Sequence, residues 1–383
     1  MVVPPLALYI HIPWCVRKCP YCDFNSHAVR DGVPETAYVD RLLRDLEQET
    51  AALPIARTLT SIFIGGGTPS LFSGAAIARL LNGVRDLIEL SPHAEITLEA
   101  NPGTADAGHF ATYREAGINR LSIGAQSLSA SHLERLGRIH GPADIHSALA
   151  LARQAGFANI NLDLMYGLPK QSLTQAQQDL AEALTLAPAH LSYYQLTLEP
   201  NTAFHRTPPD LPEADLVADM QLQGIQMLKA AGFEQYEVSA YAQQGHRCRH
   251  NLNYWEFGDY IGIGAGAHGK LSDPAGNRVE RTWKLRHPMA YLAPQNADHL
   301  TAGRRMLSAS DLILELAMNS LRQPGGFDPK RFELHAGTPL GDVTANIDMA
   351  CAAGLLIRTA DNIRPTELGH RFLDDLLQYF DQC

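Results

Sequence analysis

The chain has 383 residues, and its 41 acidic and 31 basic side chains give a formal net charge of −10. With 45% apolar residues, this composition excludes a disordered, collagen-like or coiled-coil protein. The acidic balance argues against bulk electrostatic binding to DNA or anionic membranes. The length suits two or three domains, or one large α/β barrel with an appendage.

The first half of the chain alternates apolar strands with longer helices. Strands are predicted at Leu6–Ile12, Thr60–Ile64, Glu95–Glu99, Arg120–Gly124, Ile160–Met165 and His190–Leu196. Helices are predicted at Pro34–Ala52, Ser73–Leu90, Thr104–Ala116, Asp144–Ala155 and Thr174–Ala187. This alternation demands parallel βα units. We predict an α/β fold, an incomplete TIM-like barrel of six βα units, because no GxGxxG follows the first strand.

The sequence pattern changes twice in the second half of the chain. A Pro-rich connector and a helix at Glu213–Ala231 precede residues 240–300, whose glycines, histidines and aromatic residues show little periodicity. We predict that this stretch lacks regular structure and is functional. Residues 305–383 then predict three helices at Ser310–Leu321, Asp328–His335 and Val343–Ala353, a hairpin, and a last helix at Glu367–Phe380.

That order of elements predicts a C-terminal winged-helix-like domain. Its seven basic and eleven acidic residues give a charge of −4, which favours a packing module over DNA binding, because DNA binding needs a basic face. We therefore predict three parts: a barrel at 1–235, a connecting region at 236–304, and the winged-helix-like domain at 305–383.

The cysteines are unevenly placed. Cys15, Cys19 and Cys22 form a C-x3-C-x2-C pattern just after the first strand, whereas the others are scattered at Cys248, Cys351 and Cys383. The start of the chain has no signal-peptide pattern and no apolar run of about 18 residues occurs, so we expect a cytoplasmic protein. In that compartment clustered cysteines indicate metal binding or catalysis.

Three thiolates at this spacing can hold three corners of a [4Fe–4S] cluster and leave the fourth iron open. Two alternatives remain. A structural zinc site would need a fourth ligand such as His11 or His27, and the three cysteines could also be inert. The position after a barrel strand favours the cluster.

Polar and glycine residues follow several of the predicted strands. Gly65-Gly66-Gly67-Thr68 ends the second strand, and Glu99, Gln126 and Asp163 lie at the ends of the next three. Because the carboxyl ends of parallel strands meet at one mouth of a barrel, we expect these side chains to converge there. Glycines would let the backbone approach a ligand closely. For any one of these residues alone, an ordinary solvated or paired polar group is the favoured explanation, and only their arrival at the same strand ends favours a site.

The motifs YIHIPWCxxxCPYCDF, FIGGGTPSLF, LEANPGT, SIGAQSL, LGRIH and LDLMYGLPKQ resemble the radical S-adenosylmethionine superfamily. They are most similar to its oxygen-independent coproporphyrinogen III oxidase group, over nearly the whole chain. The resemblance implies that Cys15, Cys19 and Cys22 bind a [4Fe–4S] cluster that acts on S-adenosylmethionine. It implies contacts to a first S-adenosylmethionine from Tyr9, Gly66 and Glu99, and to a second from Tyr21, Gly67, Thr68, Gln126, Arg138 and Asp163.

One departure separates this chain from the oxidases. They carry a fourth cysteine two residues after the third, where this chain has Phe24. In addition, His250-Asn251-Leu-Asn-Tyr254-Trp255 matches an HNxxYW motif of a sister branch, the HemW-type haem chaperones. The resemblance therefore implies haem binding and delivery to an acceptor haem protein, for instance a respiratory, membrane-associated one. Oxidative decarboxylation of coproporphyrinogen III is the alternative, and it leaves open whether the protein is an enzyme.

The residue that would contact haem is not fixed by the sequence. His250, His268 and Cys248 are the candidates, with His246 as a rival, and from the residues alone a histidine in a Gly-rich loop more often serves backbone hydrogen bonds than binds haem. No C-x-x-C-H motif occurs, so c-type attachment is not expected. The expected partners are haem and an acceptor haem protein, without nucleic acid; a homodimer is an open alternative to a monomer.

Overall fold

The protein is described here by a computed structural model, which covers residues 1–30, 32–104, 107–296, 299–337 and 339–381. Part of the first turn of the predicted helix Thr104–Ala116, and Cys383, lie outside these ranges. The strands are β1 (Leu6–Ile12), β2 (Trp14–Cys15), β3 (His27–Ala28), β4 (Leu59–Gly66), β5 (Leu90–Ala100), β6 (Arg120–Gln126), β7 (Asn159–Tyr166), β8 (His190–Gln195), β9 (Glu234–Glu237), β10 (Ala240–Ala242), β11 (Asp259–Ile263), β12 (His268–Asp273), β13 (Arg278–Lys284), β14 (Thr301–Met306), β15 (Leu356–Arg358) and β16 (Ile363–Pro365).

The α-helices follow the same chain order. They are α1 (Glu35–Ala51), α2 (Gly74–Leu87), α3 (Ala107–Ala116), α4 (Ala130–Arg135), α5 (Pro142–Gln154), α6 (Leu173–Thr185), α7 (Ala203–Arg206), α8 (Ala214–Ala230), α9 (Arg249–Trp255), α10 (Pro288–Leu292), α11 (Ala309–Ser320), α12 (Arg331–Ala336), α13 (Leu340–Ala352), α14 (Glu367–Arg371) and α15 (Leu373–Leu377).

One long sheet organises the molecule, with the strand order β14-β13-β12-β11-β1-β4-β5-β6-β7-β8-β10-β9. Its central strands, β11, β1 and β4 to β8, pair in parallel, and antiparallel strands extend it at both ends. The prediction of an incomplete barrel built from βα units is confirmed. The inner strands are almost wholly buried, as expected for parallel strands covered by helices.

The prediction that residues 240–300 lack regular structure is wrong. β11 lies parallel to β1, with Leu6 opposite Asp259, and β12, β13 and β14 continue the sheet as antiparallel strands. These strands are short and carry Gly, Arg and Lys. Of these four strands, only β14 is an edge strand. Because β12, β13 and β14 carry charged residues, they lack the apolar run that marks a buried strand, and the sequence pattern therefore missed them.

The chain packs around two apolar cores. The larger one joins β1 and β4–β8 to the surrounding helices. The second contains Leu307 to Phe380 together with Phe257 and Val279 from the sheet extension. It holds α11 to α13, the hairpin of β15 and β16, and the last helices, which confirms the winged-helix-like arrangement.

The last helix of the chain differs from its prediction. The predicted single helix Glu367–Phe380 is wrong: it divides into α14 and α15 at Phe372, whose φ of −111° and ψ of 53° are not helical. Within the described ranges, no helix is long and apolar enough to cross a membrane. The domain boundaries near 235 and 304 stay predictions.

Candidate functional site

The three clustered cysteines lie on a loop that leaves the carboxyl end of β1. The loop closes on itself through β2 and β3, where Trp14 lies opposite His27. Inside it the amide of Cys22 donates to the carbonyl of Cys19 at 3.2 Å. All three thiols are half-buried and free of disulfides, and burial raises the pKa of Cys15 and of Cys22.

Asn25 ties this loop to the sheet extension. Its side-chain amide donates to the carbonyls of Ala265 and Arg286, each at 2.8 Å. The backbone carbonyl of Asn25 accepts from His11 Nε2 at 2.8 Å. The cysteine loop is therefore held from β1 on one side and from the segments flanking β12 and β13 on the other.

A cavity of about 530 Å³ opens between this loop and the carboxyl ends of the strands. Most of the residues that the resemblance implies as cofactor contacts line this cavity. This placement is expected because the carboxyl ends of parallel strands meet at one mouth of a barrel. They are Cys15, Cys19, Tyr21, Cys22, Gly66, Gly67, Thr68, Glu99, Gln126, Arg138 and Asp163. We name this space the cysteine cavity.

Tyr9 is the exception, since it does not line the cysteine cavity. Its hydroxyl instead donates to His11 Nδ1 at 2.9 Å, and the His11 ring lies directly behind Gly66. A Cβ atom on Gly66 would stand 2.5 Å from His11 Cε1, and Gly66 has a φ of +115°. Only glycine fits here without strain, which explains the glycine turn after β4.

Glu99 and Asp163 place two carboxyl groups in the cysteine cavity. The amide of Gly66 donates to Glu99 Oε2 at 3.0 Å. Burial, with the nearby charge of Asp163, raises the pKa of Glu99 to about 7, and burial also raises that of Asp163. Glu99 and Asp163 are half-buried carboxyl groups with raised pKa values, and a cationic ligand beside them would be favoured.

The remaining polar wall holds Gln126 and Arg138. Gln126 has a φ of +70° at the end of β6, an uncommon conformation for a residue other than glycine that often occurs at functional sites. Its Oε1 accepts from the Tyr194 hydroxyl at 2.6 Å. Arg138 donates to the carbonyl of Gly124 at 2.8 Å and approaches Cys19 Sγ at 3.6 Å.

Some cavity residues were missed by the sequence reasoning. Asn101, Ser122, Ser192 and Tyr194 also line the cysteine cavity. Each lies in or just after a parallel strand. Extending the strand-end rule to every polar residue near those positions would have found them.

The donor set fits a [4Fe–4S] cluster better than a single metal ion. In the part of the chain that the structure describes, no three Cys, His, Asp or Glu side chains converge tightly enough to hold one ion. Tetrahedral zinc needs such convergence, whereas each iron of a cluster takes its own thiolate. The three thiols line one cavity, so they fit the cluster, and the zinc alternative has no geometric support.

The haem candidates fall into two groups. His250 is buried, and its ring nitrogens lie 3.1 Å from Ser61 Oγ and 3.0 Å from the Tyr254 hydroxyl. Cys248 is fully buried beside Glu95, and burial raises its pKa to about 12. Neither lines the cysteine cavity or the cavity around His268.

His268, by contrast, is exposed and lines a second cavity of about 510 Å³, which we name the His268 cavity. It shares Phe24, Gly66 and Glu99 with the cysteine cavity. Tyr254 of the HNxxYW motif also lines it. Trp255 points elsewhere, with the Arg322 guanidinium 4.3 Å from its ring centre.

Comparison with known proteins gives concordant results. The radical SAM superfamily model matches residues 9–183, and the HemN C-terminal domain model matches residues 307–372. The chain is 50% identical over 378 residues to the heme chaperone HemW of Escherichia coli strain K12, covering 99% of this chain and 98% of that protein. It is 48% identical over 381 residues to the heme chaperone HemW of Haemophilus influenzae, with the same coverage.

Among solved structures, coproporphyrinogen III oxidase (HemN) from Escherichia coli is similar with a TM-score of 0.84. The match covers 99% of this chain and 90% of that one, at 24% identity. It shows a shared fold from the first strand to the C-terminal domain.

Proposed function

Because the chain belongs to the radical S-adenosylmethionine superfamily and, within it, to the family of the heme chaperones HemW, we propose that it binds haem and passes it to an acceptor haem protein. The observation that carries the proposal is the 50% identity to a heme chaperone over 99% of the chain. Phe24, which replaces the fourth cysteine of the oxidases, supports it over the oxidase alternative.

In this proposal Cys15, Cys19 and Cys22 hold a [4Fe–4S] cluster, and the cysteine cavity holds S-adenosylmethionine. When bound, these groups supply an electron source and a cleavable sulfonium bond. The residues around them bind and orient. Glu99 faces the ligand with a carboxyl fixed by the Gly66 amide, and the glycine turn lets the ligand lie close to the backbone.

The proposal assigns further polar contacts in the same cavity. Asp163 is oriented by Asn161, whose side-chain amide donates to it at 2.8 Å. Gln126 is fixed by Tyr194, and Arg138 is fixed by the Gly124 carbonyl. These restrained groups suit the ribose, adenine and carboxylate of S-adenosylmethionine, together with Tyr21, Gly67 and Thr68.

We further propose a cytoplasmic location, because the cluster ligands must stay reduced thiols. The acceptor, expected to be a respiratory and membrane-associated haem protein, stays a prediction. The choice between a monomer and a homodimer also stays open.

Haem titration of the anaerobically reconstituted chain tests the function. We expect saturable binding of about one haem per chain, read from the Soret band, followed by transfer to an apo haem protein. Absence of haem binding both with and without the cluster would overturn the chaperone proposal.

A second assay tests the oxidase alternative. The reconstituted chain is incubated anaerobically with reductant, S-adenosylmethionine and coproporphyrinogen III, and the products are separated by chromatography. We expect no turnover to protoporphyrinogen, and sustained turnover would replace the chaperone proposal with the oxidase.

A further inference from the structure

We propose that haem binds in the His268 cavity and that the His268 imidazole coordinates its iron. This inference rests on the proposed chaperone function and names the site at which the cargo would lie.

The size and lining of the His268 cavity suit a flat tetrapyrrole. Its volume of about 510 Å³ falls within the roughly 300–1,000 Å³ that is usual for small-molecule sites. Aromatic rings supply much of its wall and would offer apolar faces to a macrocycle. These rings belong to Tyr9, Phe24, Tyr254, Tyr260 and Trp283.

Neighbouring residues hold the aromatic rings of this wall in place. Trp283 lies on β13, opposite His268 in the register and beside Gly303 of β14. A Cβ atom on Gly303 would collide with the Trp283 indole, so the glycine leaves the ring its place. Tyr254 and Tyr260 pack edge to face, with ring centres 4.5 Å apart, which fixes another part of the wall.

His268 is the imidazole available to this space. It begins β12 and is exposed, and neither ring nitrogen has a hydrogen-bond partner among the residues whose positions are described. His11, which also lines the cavity, has both ring nitrogens engaged by Tyr9 and Asn25. Neutral imidazole is the form that binds iron, and burial with the charge of Arg281 lowers the pKa of His268.

The rim carries a cation suited to the propionates of haem. Arg286 lines the cavity, is exposed, and forms no ion pair within the described ranges. Guanidinium groups bind carboxylates through paired hydrogen bonds. Lys284 also lines the cavity, but it is committed to Asp45 at 2.6 Å and Glu49 at 2.5 Å.

The other two candidate haem ligands, His250 and Cys248, are not available to bind iron. Both His250 nitrogens are hydrogen-bonded and Cys248 is fully buried. His250 instead fixes the hydroxyl of Tyr254, which forms part of the cavity wall. The HNxxYW motif would therefore support the cavity wall through Tyr254, while His268 makes the bond to iron.

The test compares ferric haem with metal-free protoporphyrin IX on the reconstituted full chain. We expect His268→Ala and His268→Gln to weaken haem binding roughly 10- to 100-fold or more, since losing a metal ligand costs at least as much as losing a partner of one. The Soret and ligand-field bands should also shift. Binding of the metal-free ring, followed by quenching of Trp283 fluorescence, should stay unchanged.

Two control variants sharpen the result. His93 is an exposed histidine at the other end of β5, and His93→Ala should leave both ligands unaffected. Arg286→Ala should weaken both ligands, because both carry propionates.

The failure of this inference differs from failure of the chaperone function. Wild-type haem binding that persists with the same affinity and spectrum in both His268 variants overturns the His268 site and leaves the chaperone intact. Loss of metal-free protoporphyrin binding in His268→Ala, matched to the loss of haem, overturns the ligand role. A wild-type chain that binds no haem overturns both.

Discussion

At the scale of single residues, Gly66 lies between the cysteine cavity and the His11 ring behind it. Its positive φ and its contact with the His11 ring leave no room for a side chain. Gly66→Ala should lower the free energy of unfolding by about 1–3 kcal/mol through backbone strain, and the clash with His11 should add to this. It should also weaken S-adenosylmethionine binding, measured by equilibrium titration of the cluster-loaded chain.

Gly232→Ala is the matched control for that variant. Gly232 has a φ of +84°, yet no atom lies within 4 Å of the position of an added Cβ. It should share the cost of backbone strain and keep S-adenosylmethionine affinity. Wild-type affinity in Gly66→Ala would contradict the assignment of the glycine turn to the cofactor site.

Glu99 makes stability depend on pH. Its folded pKa of about 7 lies above the ordinary value of 4.5, so the folded state holds the proton more tightly. The stability from this group is present below about pH 4.5 and is lost as pH rises to about 7. Between about pH 5 and pH 8, the unfolding free energy of wild type should therefore fall relative to that of Glu99→Gln.

Denaturant titrations of both cluster-free proteins measure this difference. Asp163, Arg120 and the Gly66 amide surround Glu99, and they are common to both proteins, so their titration cancels to first order. Parallel pH profiles for the two proteins would show that Glu99 titrates normally.

At the scale of elements, the side-chain amide of Asn25 joins the cysteine loop to the sheet extension. Asn25→Ala removes the hydrogen bonds to Ala265 and Arg286, each worth about 1 kcal/mol. The loop should loosen, and the cluster should be lost faster under a chelator, measured by its visible absorbance. Iron content before the challenge should match wild type.

Asn362→Ala is the control for the loop variant. Asn362 also donates from its amide to a backbone carbonyl, that of Gly325 at 3.0 Å, but it does so in the C-terminal domain. Its cluster should decay at the wild-type rate. Equal decay in Asn25→Ala would show that the loop keeps its shape without this anchor.

The elements also show what the sequence could and could not predict. β1 and β4–β8 were predictable because buried parallel strands give continuous apolar runs between periodic helices. β12 and β14 were not, since His268–Asp273 and Thr301–Met306 hold few apolar residues. The break at Phe372 was also hidden, because no Pro or Gly lies there to interrupt the helical pattern.

The candidate site also contains residues whose placement the sequence could predict and residues whose placement it could not. Residues just after parallel strands, such as Glu99 and Asp163, were predictable because the topology brings strand ends together. The placement of Tyr9 and His250 was not, because it depends on side-chain hydrogen bonds to His11, Ser61 and Tyr254. Ser61 and His250 are 189 residues apart in the chain, and the four-residue spacing of His250 and Tyr254 predicts a contact only on a helix, which was not predicted there.

At the scale of the whole molecule, Arg322 fastens the C-terminal domain to the sheet. It pairs with Glu237 at 3.0 Å and covers the Trp255 ring. Arg322→Ala should lower the free energy of unfolding by about 2–4 kcal/mol, because it leaves a buried carboxylate without its partner. Arg322→Lys should recover part of this loss, and thermal melting measures both.

Arg358→Ala provides the comparison. Arg358 pairs with Asp348 at 3.3 Å on the surface, where Asp348 is 64% exposed. Its loss should cost less than about 1 kcal/mol. Equal melting temperatures for the Arg322 and Arg358 variants would show that the contacts of Arg322 with Glu237 and Trp255 do not stabilise the fold.

Phe24, 57% exposed, lines both cavities together with Gly66 and Glu99. Ligands on the two sides of this common wall would be thermodynamically linked. Any factor by which a resident cofactor changes the affinity for cargo must equal the factor by which cargo changes the affinity for the cofactor. Binding or release of a ligand in one cavity would thus change the affinity for a ligand in the other, without any large movement of the barrel.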